Sequence, residues 1–355
     1  MSASQYGRGL GRRHLLKFGA SVGIAGLAAV SARAATDTPK IALEEHFSLP
    51  EFEQRGLVAR PTHNDAIFAD IERRLVDFGD LRLAAMDSAG IEMSVLSLTT
   101  PGVQGEKDKA AAVRLARQAN DVLAREVQKR PRRYGGFAAV PTQDPAAAAD
   151  ELQRAVNDLK FRGALINGQT NGRYLDDNAF LPFWERVQAL DVPVYLHPGA
   201  LSDAPAMFAG RPELEGPVWA WTADTGSHAL RLVFSGLFQR FPRLRVILGH
   251  MGETLPYLLW RLDNRYELAV GRPLAPEERP SFILRRNFVI TTSGVCDPIP
   301  LAEALAALGD DSVMFGVDYP YQDSKEAGAF IESAPLGDAV RAKVCNGNAR
   351  RILRL

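Results

Sequence analysis

Eight short apolar runs, most of them separated by a stretch with helical spacing, constrain the fold of this chain more than any other feature. They are Lys40 to His46, Glu92 to Leu98, Tyr134 to Pro141, Phe161 to Gly168, Val192 to Pro198, Leu244 to Met251, Asn287 to Gly294 and Val313 to Pro320. Several, such as Arg245-Val246-Ile247-Leu248-Gly249, are apolar almost throughout, as are strands of a parallel sheet buried on both faces. Between them, Leu81, Ala84, Ala85 and Ser88, and the segment Ala111 to Val127, place apolar residues three and four apart, the spacing of a helix packed by one face. Strand and helix in alternation make parallel βαβ units, and eight such units close a barrel. An open, doubly wound sheet is the competing architecture. It would place a glycine-rich phosphate turn after its first strand, where this chain has Glu44-Glu45-His46-Phe47. The expectation is an α/β chain with a single (β/α)8 TIM barrel over residues 35–355. The length, 355 residues, does not force a second domain, because one such barrel takes about 250 residues or more.

Residues 1–34 are of another kind. Arg12-Arg13-His14-Leu15-Leu16-Lys17 precedes an apolar stretch from Phe18 to Val30, then Ala32-Arg33-Ala34. A charged start, a short apolar middle and a small-residue cleavage site form an export signal, and the paired arginines with leucines behind them match the twin-arginine type. The apolar middle is too short and too rich in Gly and Ala for a membrane span, so no stable membrane anchor is expected. The expected destination is the periplasm. The whole chain has 42 basic and 42 acidic residues. Residues 1–34 hold five of the basic ones (Arg8, Arg12, Arg13, Lys17, Arg33) and no acid, so the remainder is mildly acidic. No block of Lys and Arg interleaved with aromatics follows, which excludes a nucleic-acid partner from the expectations. Two cysteines, Cys296 and Cys345, are too few for a disulfide framework or a thiolate metal site.

The chemistry lies at the carboxyl ends of the expected strands. Glu44 and His46 are two apart in the first run, so both side chains face one side. His197 ends the fifth run, His250 the sixth and Asp318 the eighth. Three of only six histidines thus stand at strand ends, the face on which barrel enzymes build their sites. Nitrogen and oxygen ligands from Glu44, His46, His197 and Asp318 suit one divalent metal, Zn2+ or Mn2+. Glu253, three residues after His250, is placed to fix that imidazole if the turn between them opens a helix. Two segments, residues 47–74 and Pro198 to Trp221, exceed the usual loop lengths and leave the same ends of strands. They are expected to form a lid and a substrate pocket, with Phe208, Trp219 and Trp221 available to wall a flat ring and His228 at a helix start after them.

These motifs resemble the amidohydrolase superfamily, in its branch of nonoxidative aromatic-acid decarboxylases that includes the γ-resorcylate and 2,3-dihydroxybenzoate enzymes. The resemblance runs from Lys40 to Leu355 through Ala42-Leu43-Glu44-Glu45-His46-Phe47, Met86-Asp87-Ser88-Ala89-Gly90-Ile91, Pro101-Gly102-Val103-Gln104, Tyr195-Leu196-His197-Pro198, Leu248-Gly249-His250-Met251-Gly252-Glu253, Val317-Asp318-Tyr319-Pro320 and Asn348-Ala349-Arg350. It implies that Glu44, His46, His197 and Asp318 bind the metal with His250 and Glu253 beside it. Asp318 would be the proton-transferring acid and Arg261 would lie near the substrate; Phe47 and, from its place in the long segment, Trp219 are also expected to be substrate-binding. It also implies a homo-oligomer, a dimer or tetramer. The fourth run ends Ile166-Asn167-Gly168 without the lysine that bridges two metals in binuclear relatives, so one ion is expected. The reaction implied is decarboxylation of an ortho-hydroxylated aromatic acid. Hydrolysis of a lactone, amide or ester is the alternative that the same ligands would serve.

Overall fold

The computed structural model describes residues 38–199, 201 and 206–355; the signal expected at residues 1–34 lies outside them. The strands are β1 Lys40–Phe47, β2 Ile91–Leu98, β3 Tyr134–Gly136, β4 Ala164–Asn167, β5 Val194–His197, β6 Val246–Leu248, β7 Phe288–Thr291, β8 Val313–Met314 and β9 Gly316–Tyr319. Each falls within or against one of the eight apolar runs, and the eighth run holds two of them. All pairings are parallel, in the orders β3-β2-β1-β9 and β4-β5-β6-β7-β8.

The two sheets meet at both margins. β8 and β9 are halves of one segment interrupted at Phe315, whose N–H turns aside to Val344 O (2.9 Å) while its carbonyl accepts from Leu43 N–H (3.2 Å). The segment therefore passes from pairing with β7 to pairing with β1. At the other margin Ala138 forms a parallel bridge with Ala164, through Ala138 N–H to Gly163 O (2.8 Å) and Leu165 N–H to Ala138 O (3.1 Å). With helices between the strands, this is a (β/α)8 barrel.

The side-chain period of two divides the core. Ile41, Leu43, Val95, Phe137, Leu165, Tyr195, Ile247, Val289 and Met314 form one buried cluster inside the ring, closed below by Ala349, Ile352 and Leu353. Their strand neighbours, including Ala42, Leu96, Ala138, Ile166, Leu196, Leu248 and Ile290, pack outward against the helices. That is the two-sided burial that near-continuous apolar strands require.

The long segment after β1 is partly helical, with Pro50–Gln54 and Asp65–Leu75 within it. Asn64 caps the second helix, accepting from Ala66 and Ile67 N–H, as an N-cap side chain does. His228 lies inside the helix Ala220–Phe234 and not at its start.

Candidate metal centre and its cavity

The site begins with an irregularity in β1. Ile41 and Leu43 point into the barrel, so unbroken alternation would send Glu45 and Phe47 inward and Glu44 and His46 out. The register slips between Leu43, which pairs with Val95, and Glu45, which pairs with Leu96. Glu44 is the extra residue, with φ of +68°. A bulge of this kind re-aims every later side chain by one place, and it brings Glu44 and His46 to the inner face together. Phe47 is thereby turned outward. It is 1% exposed, packs on Phe78 with ring centroids 5.4 Å apart and does not line the cavity, which corrects its expected place beside a substrate.

Glu44, His46, His197 and Asp318 each offer one ligand-type atom, and these atoms lie within 4.8 Å of one another. Glu44 Oε1 is 3.2 Å from His197 Nε2 and 3.4 Å from His250 Nε2. Asp318 Oδ1 is 3.2 Å from His46 Nε2, and its Oδ2 is 3.6 Å from His250 Nε2. Glu44 Oε1 and His46 Nε2 are buried without a hydrogen-bond partner, a state that costs free energy unless another group completes it. A cation among the four side chains would satisfy both atoms. The donor set therefore fits a divalent metal, with oxygen and imidazole ligands of the type zinc and manganese accept.

Surrounding groups fix the ligands. Glu44 Oε2 accepts from the hydroxyls of Tyr195 and Ser293, and from Thr291 Oγ1 at 3.4 Å. Ser293 Oγ in turn accepts from His250 N–H (3.1 Å). His197 Nδ1 lies 2.8 Å from Pro198 O. A proton on Nδ1 serves that bond and leaves the Nε2 lone pair facing the cluster, as an imidazole ligand requires. Ser97 Oγ stands 3.3 Å from His46 Nδ1. Gly249 packs so closely that a Cβ there would run into the Glu44 carboxylate. Arg82, 1% exposed, donates to His46 O (2.6 Å) and lies 4.6 Å over the Tyr319 ring, tying β1 to the end of β9. Tyr195 and Thr291 were legible in hindsight, each standing two residues before a site residue on one strand face. Arg82 left no signal in the sequence.

His250 and Glu253 do come together, with Nδ1 to Oε1 at 2.8 Å. They do so through a left-handed turn and not a helix start, since His250 to Thr254 all have φ between 47° and 81°. Such backbone costs roughly 1–2 kcal/mol per non-glycine residue, a form of strain that clusters at functional sites.

The charges are coupled. Burial would raise the Glu44 carboxyl, but the imidazoles of His250, His197 and His46 outweigh it and hold the group well below the ordinary carboxylate range. His46 is lowered by burial and so presents a neutral ring, the form that binds metal. Burial also acts to lower His250, yet the carboxylates of Glu44 and Glu253 overcome it and push its value well above 6.5. A proton-delivering Asp318 would call for a raised value. Burial does work in that direction, but hydrogen bonds from His250 and His46 prevail and its carboxyl is lowered. Glu45 is raised to about 8, mainly by burial.

A cavity of about 830 Å3 opens above the cluster. His197, His250 and Asp318 stand at its floor, Ile67 and Ile71 come from the segment after β1, and Pro198, Pro217 and Trp221 from the segment after β5. Both long segments therefore wall it, as expected. Three other expected contacts do not. Trp219 is 46% exposed and outside the lining, one place before the helix whose first turn carries Trp221 inward. Phe208 is buried away from it. Arg261 is exposed on the helix Leu255–Val270, two residues past the buried Leu259 and hence on the far face. His228 is a core histidine, its Nε2 accepting from Leu175 N–H at 2.9 Å.

Comparison with known proteins agrees with this geometry. The amidohydrolase family profile matches residues 46–355. γ-Resorcylate decarboxylase of Rhizobium sp. (strain MTP-10005) is 44% identical over 324 residues, covering 89% of this chain and 98% of that protein. The crystal structure of a 2,6-dihydroxybenzoate decarboxylase complexed with 2,6-dihydroxybenzoate superposes with a TM-score of 0.84 at 43% identity, covering 90% of this chain and all of the other. A dihydroxybenzoic acid decarboxylase of Polaromonas sp. JS666, with bound manganese and the inhibitor 2-nitroresorcinol, gives 0.82 at 41% identity, with coverage of 90% and 97%.

Proposed function

The chain belongs to the amidohydrolase family, and from that premise we propose that it is a metal-dependent, nonoxidative decarboxylase of an ortho-hydroxylated aromatic carboxylic acid of the dihydroxybenzoate class. The observation that carries this is the Glu44, His46, His197 and Asp318 cluster at the floor of a cavity whose described lining holds no Lys or Arg. Among the described lining residues, positive charge for a substrate carboxylate is available only at that floor.

The four side chains would hold one Zn2+ or Mn2+. When bound, the ion supplies positive charge that orients the substrate carboxylate and its ortho oxygen. The rest falls to the chain's own residues. Asp318, between His46 and His250, delivers a proton to the ring carbon that bears the carboxylate. The bond to that carboxylate then breaks, carbon dioxide leaves, and its electron pair restores the aromatic ring. His250, with Nδ1 2.8 Å from Glu253 and Nε2 3.6 Å from Asp318, is placed to relay a proton to Asp318, and Glu253 fixes the orientation of its ring. General acid transfer of this kind contributes about 10²–10⁴-fold in rate. Turnover of 2,6-dihydroxybenzoate in D2O tests the assignment. The expected product is resorcinol with deuterium on the former carboxyl-bearing carbon; hydrolysis of lactones or esters without carbon dioxide release would replace it with the hydrolase.

Two further proposals concern the whole protein. The Arg12-Arg13 segment directs export to the periplasm, so Arg12→Lys with Arg13→Lys should leave the enzyme in the cytoplasmic fraction. No helix among the described residues is long and apolar enough to cross a membrane. Tyr257, Trp260 and Leu268 are largely exposed on one helix, a surface suited to self-association; light scattering should give a dimer or tetramer.

A further inference from the structure

The cavity is larger than a one-ring acid needs, and its two ends differ in chemistry. Its volume of about 830 Å3 lies toward the upper part of the roughly 300–1,000 Å3 range that encloses drug-sized ligands. Fractional exposure tells the floor from the mouth. His197 and Thr100 line it at 3% and 2% exposed, whereas Ile67 and Ile299 line it at 52% and 77%. The floor is polar, and the Thr100 hydroxyl there is buried without a hydrogen-bond partner, ready for a hydroxyl on a bound ring. The outer wall is largely apolar: Ile67 and Ile299, from two segments, stand exposed at the mouth, and the buried Ile71 and half-buried Val295 and Trp221 line the cavity with them. Away from the ligand cluster the one charged lining residue described is Glu303, exposed at the rim. An anionic group on the far side of the ring would meet no counter-charge there, while a hydrocarbon group would be drawn out of water.

Resting on the decarboxylase assignment above, we propose that the preferred substrates are ortho-hydroxylated aromatic acids bearing an alkyl or other apolar substituent opposite the carboxylate, seated against Ile67, Ile71, Val295 and Ile299. The carboxylate and hydroxyls occupy the polar floor, and the substituent extends toward the mouth. The reaction is unchanged, with one carbon dioxide lost and one proton gained at the same ring carbon.

The test is kcat/KM of the metal-loaded enzyme on 2,6-dihydroxybenzoates carrying hydrogen, methyl, propyl or pentyl at carbon 4. A fully buried methylene is worth about four-fold and a half-buried one about two-fold. The pentyl acid should therefore exceed the unsubstituted one by roughly thirty-fold; a flat or falling series overturns the proposal. Ile67→Asp and Ile299→Asp, both at exposed positions, should cut the pentyl-to-unsubstituted ratio at least tenfold, and an unchanged ratio overturns the placement. Calorimetric binding of 5-pentylresorcinol against resorcinol reads the same preference without turnover. Tighter binding of the pentyl compound with no carbon dioxide from any acid upholds the cavity's preference and refutes the decarboxylase. Turnover with equal affinities refutes the preference alone.

Discussion

Replacing Tyr195 by phenylalanine removes a single hydroxyl that touches no proposed metal-binding atom, yet it should weaken metal binding. That hydroxyl donates to Glu44 Oε2 and lies 2.8 Å from Thr291 Oγ1, in a pocket where Tyr195 is fully buried. A hydrogen bond to a charged group contributes about 1.5–3 kcal/mol. Ser293 still donates to the same oxygen in the variant, so the lower half of that range applies. Partners that orient a ligand typically account for about 10–100-fold in metal affinity, which is about 1.4–2.8 kcal/mol. The assay is titration of the metal-stripped protein with Mn2+ or Zn2+ against a fluorescent chelator, with circular dichroism to confirm an unchanged fold. A dissociation constant within about two-fold of the unmodified protein would refute the role given to this contact and to the bulge that makes Glu44 available for it.

Other outcomes follow from the same geometry. Gly249→Ala places a Cβ against the Glu44 carboxylate and should lower metal occupancy and turnover at least a hundred-fold, whereas Gly337→Ala, whose Cβ meets nothing within 4 Å, should leave both intact; occupancy is read by elemental analysis. Asp318→Asn should reduce turnover by about 10²–10⁴-fold, because the amide cannot deliver the proton, as single-turnover kinetics will show. His228 is depressed from 6.5 to about 3 by burial. The unfolded chain therefore takes up that proton first, so the stability is whole above pH 6.5 and is lost as pH falls toward 3. Between pH 6.5 and 5 the loss should be about 1.6 kcal/mol, measured by urea unfolding, and His228→Gln should flatten the slope.

The barrel was legible because its strands are buried on both faces and so read as apolar runs. The strand-end residues Glu44, His46, His197, His250 and Asp318 were legible because chemistry-bearing side chains interrupt those runs at one end. The bulge at Glu44 was not. Counting two residues from Glu44 to His46 gave the right shared face, but only because a register slip moved both from the outer side, and no residue type announces that slip. The same slip explains why Phe47 left the cavity. The left-handed turn from His250 to Thr254 was also hidden, since one glycine among five positive-φ residues does not distinguish it from a helix start. Trp219 and Arg261 failed for a different reason. The long segment after β5 placed Trp219 near the cavity and the resemblance placed Arg261 there, and a rotation of one or two positions on a helix decided which side chains of this chain entered it.

The central claim is that four side chains hold one ion on which turnover depends. The most direct measurement is carbon dioxide release from 2,6-dihydroxybenzoate while the metal-stripped enzyme is titrated with Mn2+ or Zn2+. Activity should rise from nothing and break at one ion per chain. Undiminished release from the stripped enzyme, or a break at two ions, would contradict it.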